Sequence, residues 1–143
     1  MYRTWIAVVD AARARFFTHE RLAEPEGLRD ELVEREDLID PARRSGHRRD
    51  HEATLDAEFA RDILRALSLQ LAALPPHRLI VCASPHMLGE LRPGLAMLHN
   101  PPEIEEVSHD LTKLTPHELR VQLESYGLLR HRELAGPPRL ADR

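Results

Sequence analysis

Two stretches of this chain, Trp5 to Val9 and Leu79 to Cys82, are apolar at every position and carry β-branched residues. A strand with one face in water alternates, so an unbroken run predicts a strand covered on both faces. The segment "ARARFFTHE" follows the first run closely, which predicts a hairpin turning at Asp10-Ala11-Ala12. "EPEG" is the next turn signal. "LRDELVERED" then alternates weakly, with Leu28 and Leu32 on one face and Val33 on the other, and its polarity predicts an edge strand.

Leu55, Phe59, Ile63, Leu67, Leu71 and Leu74 recur at spacings of four and three, the mark of a helix with one broad apolar stripe. Pro75-Pro76 ends it. After the second apolar run, Ser84 and Pro85 supply a cap and first turn for a helix carrying Leu88, Leu91 and Leu95. Pro93-Gly94 is expected to kink or interrupt that helix. Gly89 within it is read as a point of close packing on the sheet. "EIEEVSHD" has the character of a polar strand, and "LTPHEL" reads as a helix start. Thr115 caps it, Pro116 takes its first position, Glu118 closes a capping box, and Leu114 and Leu119 form a hydrophobic staple.

The element order is therefore β-β-β-α-β-α-β-α. The two fully apolar strands belong side by side and parallel in the middle, with the polar strands at the edges. An α/β fold with a mixed five-stranded sheet, order 3-2-1-4-5 and helices on both faces, satisfies these conditions with right-handed crossovers. Residues 1–125 read as one domain and 126–143, "AGPPRLADR" included, as a loose Pro-rich extension.

Composition narrows the function classes. The 143 residues suit a single domain, and 42% hydrophobic with 31% charged residues is ordinary for a globular protein. A net charge of −4 excludes a protein that coats polyanions with its whole surface. The first apolar run is too short for a signal-peptide core or a membrane span. Cys82 is the only cysteine and lies in an apolar run, so no intrachain disulfide forms. These features lead to a cytoplasmic protein with no membrane partner. One stretch breaks the acidic balance: "DPARRSGHRRD", in which Arg43, Arg44, Arg48 and Arg49 surround Ser45-Gly46-His47. Glu20 to Asp40 before it is dense in acids, so charge is segregated and the field directed.

"VVDAARARFF", "HEATLDAEFARDIL", "SPHMLGELR" and "HDLTKLTPHEL" resemble, in order and spacing, the bacterial family of host-attachment proteins, over about Trp5 to Leu123. Members of that family are similar to the middle domain of archaeal and eukaryotic peptide-chain release factors, and the resemblance implies a ribonuclease H-like fold. In the release-factor domain, the loop between the third strand and the long helix carries a Gly-Gly-Gln tip that assists water attack on peptidyl-tRNA. Here that loop is "ARRSGHRRD", which keeps flanking arginines and Gly46 but has no Gly-Gly-Gln. The resemblance therefore does not carry peptidyl-tRNA hydrolysis over to this chain. It implies a positive loop able to contact ribosomal RNA or tRNA through Arg43, Arg44, Gly46, His47, Arg48 and Arg49.

Other candidate chemistry is weaker. A two-metal nuclease needs several converging carboxylates. Asp10 ends the first strand, and Glu58 or Asp62 would add another acid from the helix, but the fourth strand ends in Cys82-Ala83-Ser84 without one. Asp10 reads better as the organiser of its turn. His47 and His51, four apart, lie among arginines that repel a cation, so no metal site is expected there. Ser84 and His86 lack an identifiable orienting acid, and the cap reading of Ser84 prevails. The sequence thus favours a non-catalytic RNA- or ribosome-binding module without metal or cofactor. A hydrolase acting on RNA or peptidyl-tRNA is the enzyme alternative, and an adaptor supporting attachment to host cells is the third.

Overall fold

The computed structural model describes residues 3–24, 27–40 and 52–129. Strand β1 (Thr4–Val9) is followed by β2 (Arg13–Glu24), β3 (Gly27–Ile39), helix α1 (Glu52–Ala73), β4 (Arg78–Cys82), α2 (Pro85–Leu95), β5 (Glu103–Val107) and α3 (Pro116–Ser125). They form one five-stranded sheet in the order β3-β2-β1-β4-β5. β2 runs antiparallel to β1 and β3, while β1, β4 and β5 are mutually parallel. This is a ribonuclease H-like fold, with the two wholly apolar strands adjacent at its centre as their composition requires.

The period-2 alternation of the strands divides the core in two. Trp5, Ala7, Val9, Leu79 and Val81 face α1 and α2, joined by Phe59, Ile63, Leu67, Leu88 and Leu91. Ile6, Val8, Ile80 and Cys82 face α3, which contributes Leu119 and Leu123. The indole Nε1–H of Trp5 donates to the Leu74 carbonyl at 2.8 Å, tying β1 to the end of α1. Burial raises the Cys82 thiol pKa to about 12, so it stays protonated in the folded protein.

The weak alternation in β3 has a structural cause. Phe16 pairs with Glu36 but Phe17 pairs with Glu34, so Arg35 is an extra residue in the strand. This bulge switches the side-chain faces. Leu32 consequently packs with the α3 face, whereas Leu38 packs with the α1–α2 face. Arg35 turns back to donate to Thr18 Oγ1 at 2.9 Å and Glu20 at 3.0 Å.

The helix starts follow their local signals. Ser84 Oγ accepts the Met87 amide, and Thr115 and Glu118 form the reciprocal capping box. Helix α3 ends at Gly127, whose φ of 79° is the left-handed conformation that favours glycine. Arg120 on α3 approaches Asp30 of β3, which also holds His19 at 2.7 Å, and this anchors the helix to the long hairpin.

Two local expectations are corrected. Helix α2 continues past Pro93-Gly94 to Leu95, and the Ala96 amide still reaches the Arg92 carbonyl at 3.0 Å. Burial of Leu88, Leu91 and Leu95 against α1 outweighs the hydrogen bond that proline cannot make. Gly89 is not a packing contact, since a Cβ there would meet nothing within 4 Å. The close approach is at Gly94, where a Cβ would stand 2.2 Å from Leu64 Cδ1.

Candidate functional site

Parallel strands deliver the loops at their carboxyl ends to one side of the sheet, the usual place for a ligand in an α/β fold. Here those ends are Val9, Cys82 and Val107, from which the chain enters three polar segments. Between them lies a hollow of about 370 Å3, lined by Val9, Asp10, Ala11, Ala12, Ser84, His86, Met87 and Asp110.

Asp10 does organise its turn. Its Oδ1 accepts the Ala12 amide at 2.7 Å, and its own amide donates to the Arg13 carbonyl. Its other oxygen, however, accepts the Thr112 hydroxyl at 2.8 Å, across 102 residues of sequence. Thr112 Oγ1 also lies 2.6 Å from Asp110 Oδ1, which in turn accepts the Thr112 amide. A hydroxyl has one proton, so it cannot donate to both carboxylates at once. The pair therefore carries a surplus of acceptor oxygens at the edge of the hollow. Arg15 holds this segment in place from β2, donating to the Thr112 and Leu114 carbonyls while paired in fork geometry with Glu34.

The opposite rim is set by α1 and α2. His86, in the first turn of α2, places Nε2 3.0 Å from Asp56 Oδ2 of α1. The imidazole is 58% exposed and the carboxylate 11%, so the acid is a fixed support and the ring faces solvent. Glu90, one turn along α2, lies 3.9 Å from the same nitrogen. In the neutral tautomer that donates Nε2–H to Asp56, Nδ1 carries the lone pair.

Three expectations change as a result. The acid that α1 brings to this end is Asp56; Glu58 is exposed and Asp62 pairs with Arg65 at 3.2 Å. His86 does have an orienting acid, again Asp56. A second carboxylate beside Asp10 is also present, but it comes from Asp110 after β5 rather than from the end of β4. Ser84 remains a helix cap. Among the described residues, no three His, Cys, Asp or Glu side chains group as a metal site. Asp56 was legible in part. At about 100° per residue it falls inside the apolar stripe of α1, with Glu58 nearly opposite. An acid in that stripe requires a partner.

Arg43, Arg44, Gly46, His47, Arg48, Arg49 and His51 lie outside the described residues. The two described ends of that segment belong to this side of the sheet: the Asp40 amide donates to the Ala12 carbonyl at 2.9 Å, and α1 opens one turn before Asp56.

Residues 40–123 match the model of the family described as "Protein required for attachment to host cells", which is more than half of the chain. The chain belongs to this family. The family match includes the arginine segment, Asp56, Ser84, His86 and Asp110, and Asp10 precedes it. No curated protein matches the chain in sequence. Among solved structures it is similar to the type II variant of the Aquifex aeolicus Ppx/GppA phosphatase, at 12% identity and a TM-score of 0.42, over 74% of this chain and 36% of that one. It is also similar to Thermus thermophilus RuvC, at 12% identity and a TM-score of 0.44, over 92% and 84% of the two chains. The family member described here thus spans about a third of the Aquifex phosphatase. Likeness at this level says nothing about activity. No described helix is long and apolar enough to cross a membrane.

Proposed function

We propose that this host-attachment family protein is a cytoplasmic hydrolase acting on RNA or peptidyl-tRNA, with its chemistry in the hollow at the carboxyl ends of β1 and β4. One observation carries the reading: His86, oriented by Asp56 at 3.0 Å, stands on the rim of a hollow that Asp10 and Asp110 also line. An imidazole held by a carboxylate is the standard form of a general base. Arg43, Arg44, Arg48 and Arg49, with Gly46 and His47, would hold the RNA backbone. Their segment joins Asp40, bonded beside the hollow, to α1, which carries Asp56.

The test is incubation of the purified chain with end-labelled RNA and with peptidyl-tRNA across a salt series. Product release that disappears in His86→Ala is the expected result. Replacing all four arginines by alanine should flatten the salt dependence of binding, because each phosphate contact contributes roughly 0.7–0.9 to the log–log slope. Fold stability should change by under about 0.5 kcal/mol per site.

A second reading, a non-catalytic RNA- or ribosome-binding module like the release-factor middle domain, draws support from Asp10. Both of its oxygens are engaged by Ala12 and Thr112 within the protein. Salt-sensitive binding and co-sedimentation with ribosomes, with every RNA and peptidyl-tRNA recovered intact, would favour that reading and end the hydrolytic one.

A further inference from the structure

We infer that the stacked rings of His109 and Tyr126 form a platform for an unpaired nucleobase of RNA, beside the wall of the hollow. This rests on reading that end of the molecule as an RNA site. It goes beyond that reading by naming the part of the RNA that is held and the strand state that can offer it.

Among the described residues Trp5, Phe16, Phe17 and Phe59 are at most 1% exposed, whereas Tyr126 is 37% exposed. Its ring is not isolated. It lies against the imidazole of His109, with centroids 5.5 Å apart and planes 17° from parallel. Stacked rings cover one face of each other. His109 is exposed as well, so outer faces of the pair are open to a third plane.

Both rings stand on fixed backbone. Tyr126 is the C-cap of α3, its amide donating to the Gln122 carbonyl at 3.2 Å, and Gly127 turns the chain behind it. The loop of His109 is held where Arg15 donates to the Thr112 and Leu114 carbonyls and Thr112 donates to Asp10. Loop and helix already meet in the core through Leu111, Leu119 and Leu123. The exposed stack therefore adds little burial to a junction that other residues make. As a ligand platform it is set in advance, and it loses little freedom when a third plane arrives.

The surroundings fit a nucleotide. His109 adjoins Asp110 in the chain, so its Cα lies about 3.8 Å from that of a residue lining the hollow. Lys113, in the same loop, is the chain's single lysine. It is exposed and makes no ion pair among the described residues. A flat π-face for a base and a cation for its phosphate are the two parts of single-strand recognition. What the stack brings beside Asp110 is an uncharged base rather than a phosphate. Bases in a duplex are covered on both faces by their neighbours, so only an unpaired base can take this position.

The experiment measures anisotropy of three fluorescein-labelled probes with the full chain: oligoadenylate, the same strand annealed to oligouridylate, and an abasic strand of equal length. Oligoadenylate should bind about tenfold more tightly than either of the others. Tyr126→Ala and His109→Ala should each remove most of that advantage and leave the abasic strand unaffected. Tyr126→Phe and His109→Phe should retain it. Lys113→Ala should lower the log–log salt slope by roughly 0.7 for both single strands. A wild type that holds the abasic strand or the duplex as tightly as oligoadenylate overturns the inference. So does a Tyr126→Ala variant that binds oligoadenylate as wild type does, or that loses the abasic strand equally, the mark of a merely disturbed loop. If RNA is nonetheless cleaved and the cleavage needs His86, the inference alone fails and the hydrolytic reading survives. Base-dependent binding that needs Tyr126, with every RNA recovered intact, has the reverse effect: the platform stands and the hydrolytic reading fails.

Discussion

Two hollows lined by described residues lie at opposite ends of the sheet, and they differ in kind. The one at the carboxyl ends of the parallel strands is about 370 Å3 and gathers Asp10, Asp110, Ser84 and His86. The other, about 600 Å3, lies where α1 and α2 end and is lined by Leu64, Leu71, Pro75, Pro76, Met97 and Leu98 among others. The larger is the less equipped. Its walls combine the flanks of two helices brought together at Gly94 with the segments that follow them, and its polar members, Arg65, Ser68, His99 and Asn100, are spread along it. The smaller is built from loops released at strand ends, where backbone and side-chain polarity meets water and can be aimed. Size marks where packing is loose, whereas function is read from the groups that converge.

The comparison is tested most severely at Arg15. This largely buried guanidinium anchors Glu34 and the Thr112–Leu114 segment, so Arg15→Ala should cost about 3 kcal/mol in urea unfolding and release the wall that carries Asp110. An unchanged stability would mean that the polar end holds itself together without β2. At the apolar end, Gly94→Val should cost roughly 1–3 kcal/mol, because the new side chain must displace Leu64. Gly89→Ala, five residues earlier on the exposed face, should instead stabilise by about 0.5–1 kcal/mol, since nothing obstructs the methyl group and helix propensity improves. If both glycines respond alike, the tight helix contact at Gly94 is wrong.

Smaller effects report on the frame between the two ends. Hydrogen bonding to Arg13 holds the Asp37 carboxyl below its ordinary pKa, Arg92 does the same for Glu106, and the Thr18 hydroxyl, followed by Arg35, does so for Glu20. Such depressed groups contribute stability that is present above the ordinary carboxylate range and lost as pH falls through the folded values. The melting temperature should therefore be flat near neutrality and fall below about pH 4. Arg92→Ala should reduce only the Glu106 share of that fall. Cys82, with its pKa at about 12, should react with iodoacetamide at pH 8 only when the protein unfolds. Labelling of the native protein would mean that the core behind α3 opens.

Much of the architecture is legible in the sequence itself. Unbroken apolar runs placed β1 and β4 in the centre, the spacing from Leu55 to Leu71 defined α1, and Thr115 to Glu118 marked the start of α3. These signals are local: each depends on residues within one or two turns, whose geometry is dictated by backbone periodicity. Gly89 and Gly94 were not distinguishable in this way, because what decides them is the position of Leu64 on another helix. The bulge at Arg35 was visible only as weak alternation, since its effect is on which face each later residue takes.

The sequence by itself determined the number, order and character of the elements, and through them a mixed sheet in the order β3-β2-β1-β4-β5. It could not determine that Asp10, Asp56, His86 and Asp110 share one end of the molecule. They come from a turn, two helices and a loop, with a sequence separation of 102 from Asp10 to Thr112, its hydrogen-bond partner in that loop. Strand order brings those segments together, and register sets which side chains meet. Both are properties of the assembled sheet, because hydrogen bonds between strands and burial of both faces act across the whole chain at once.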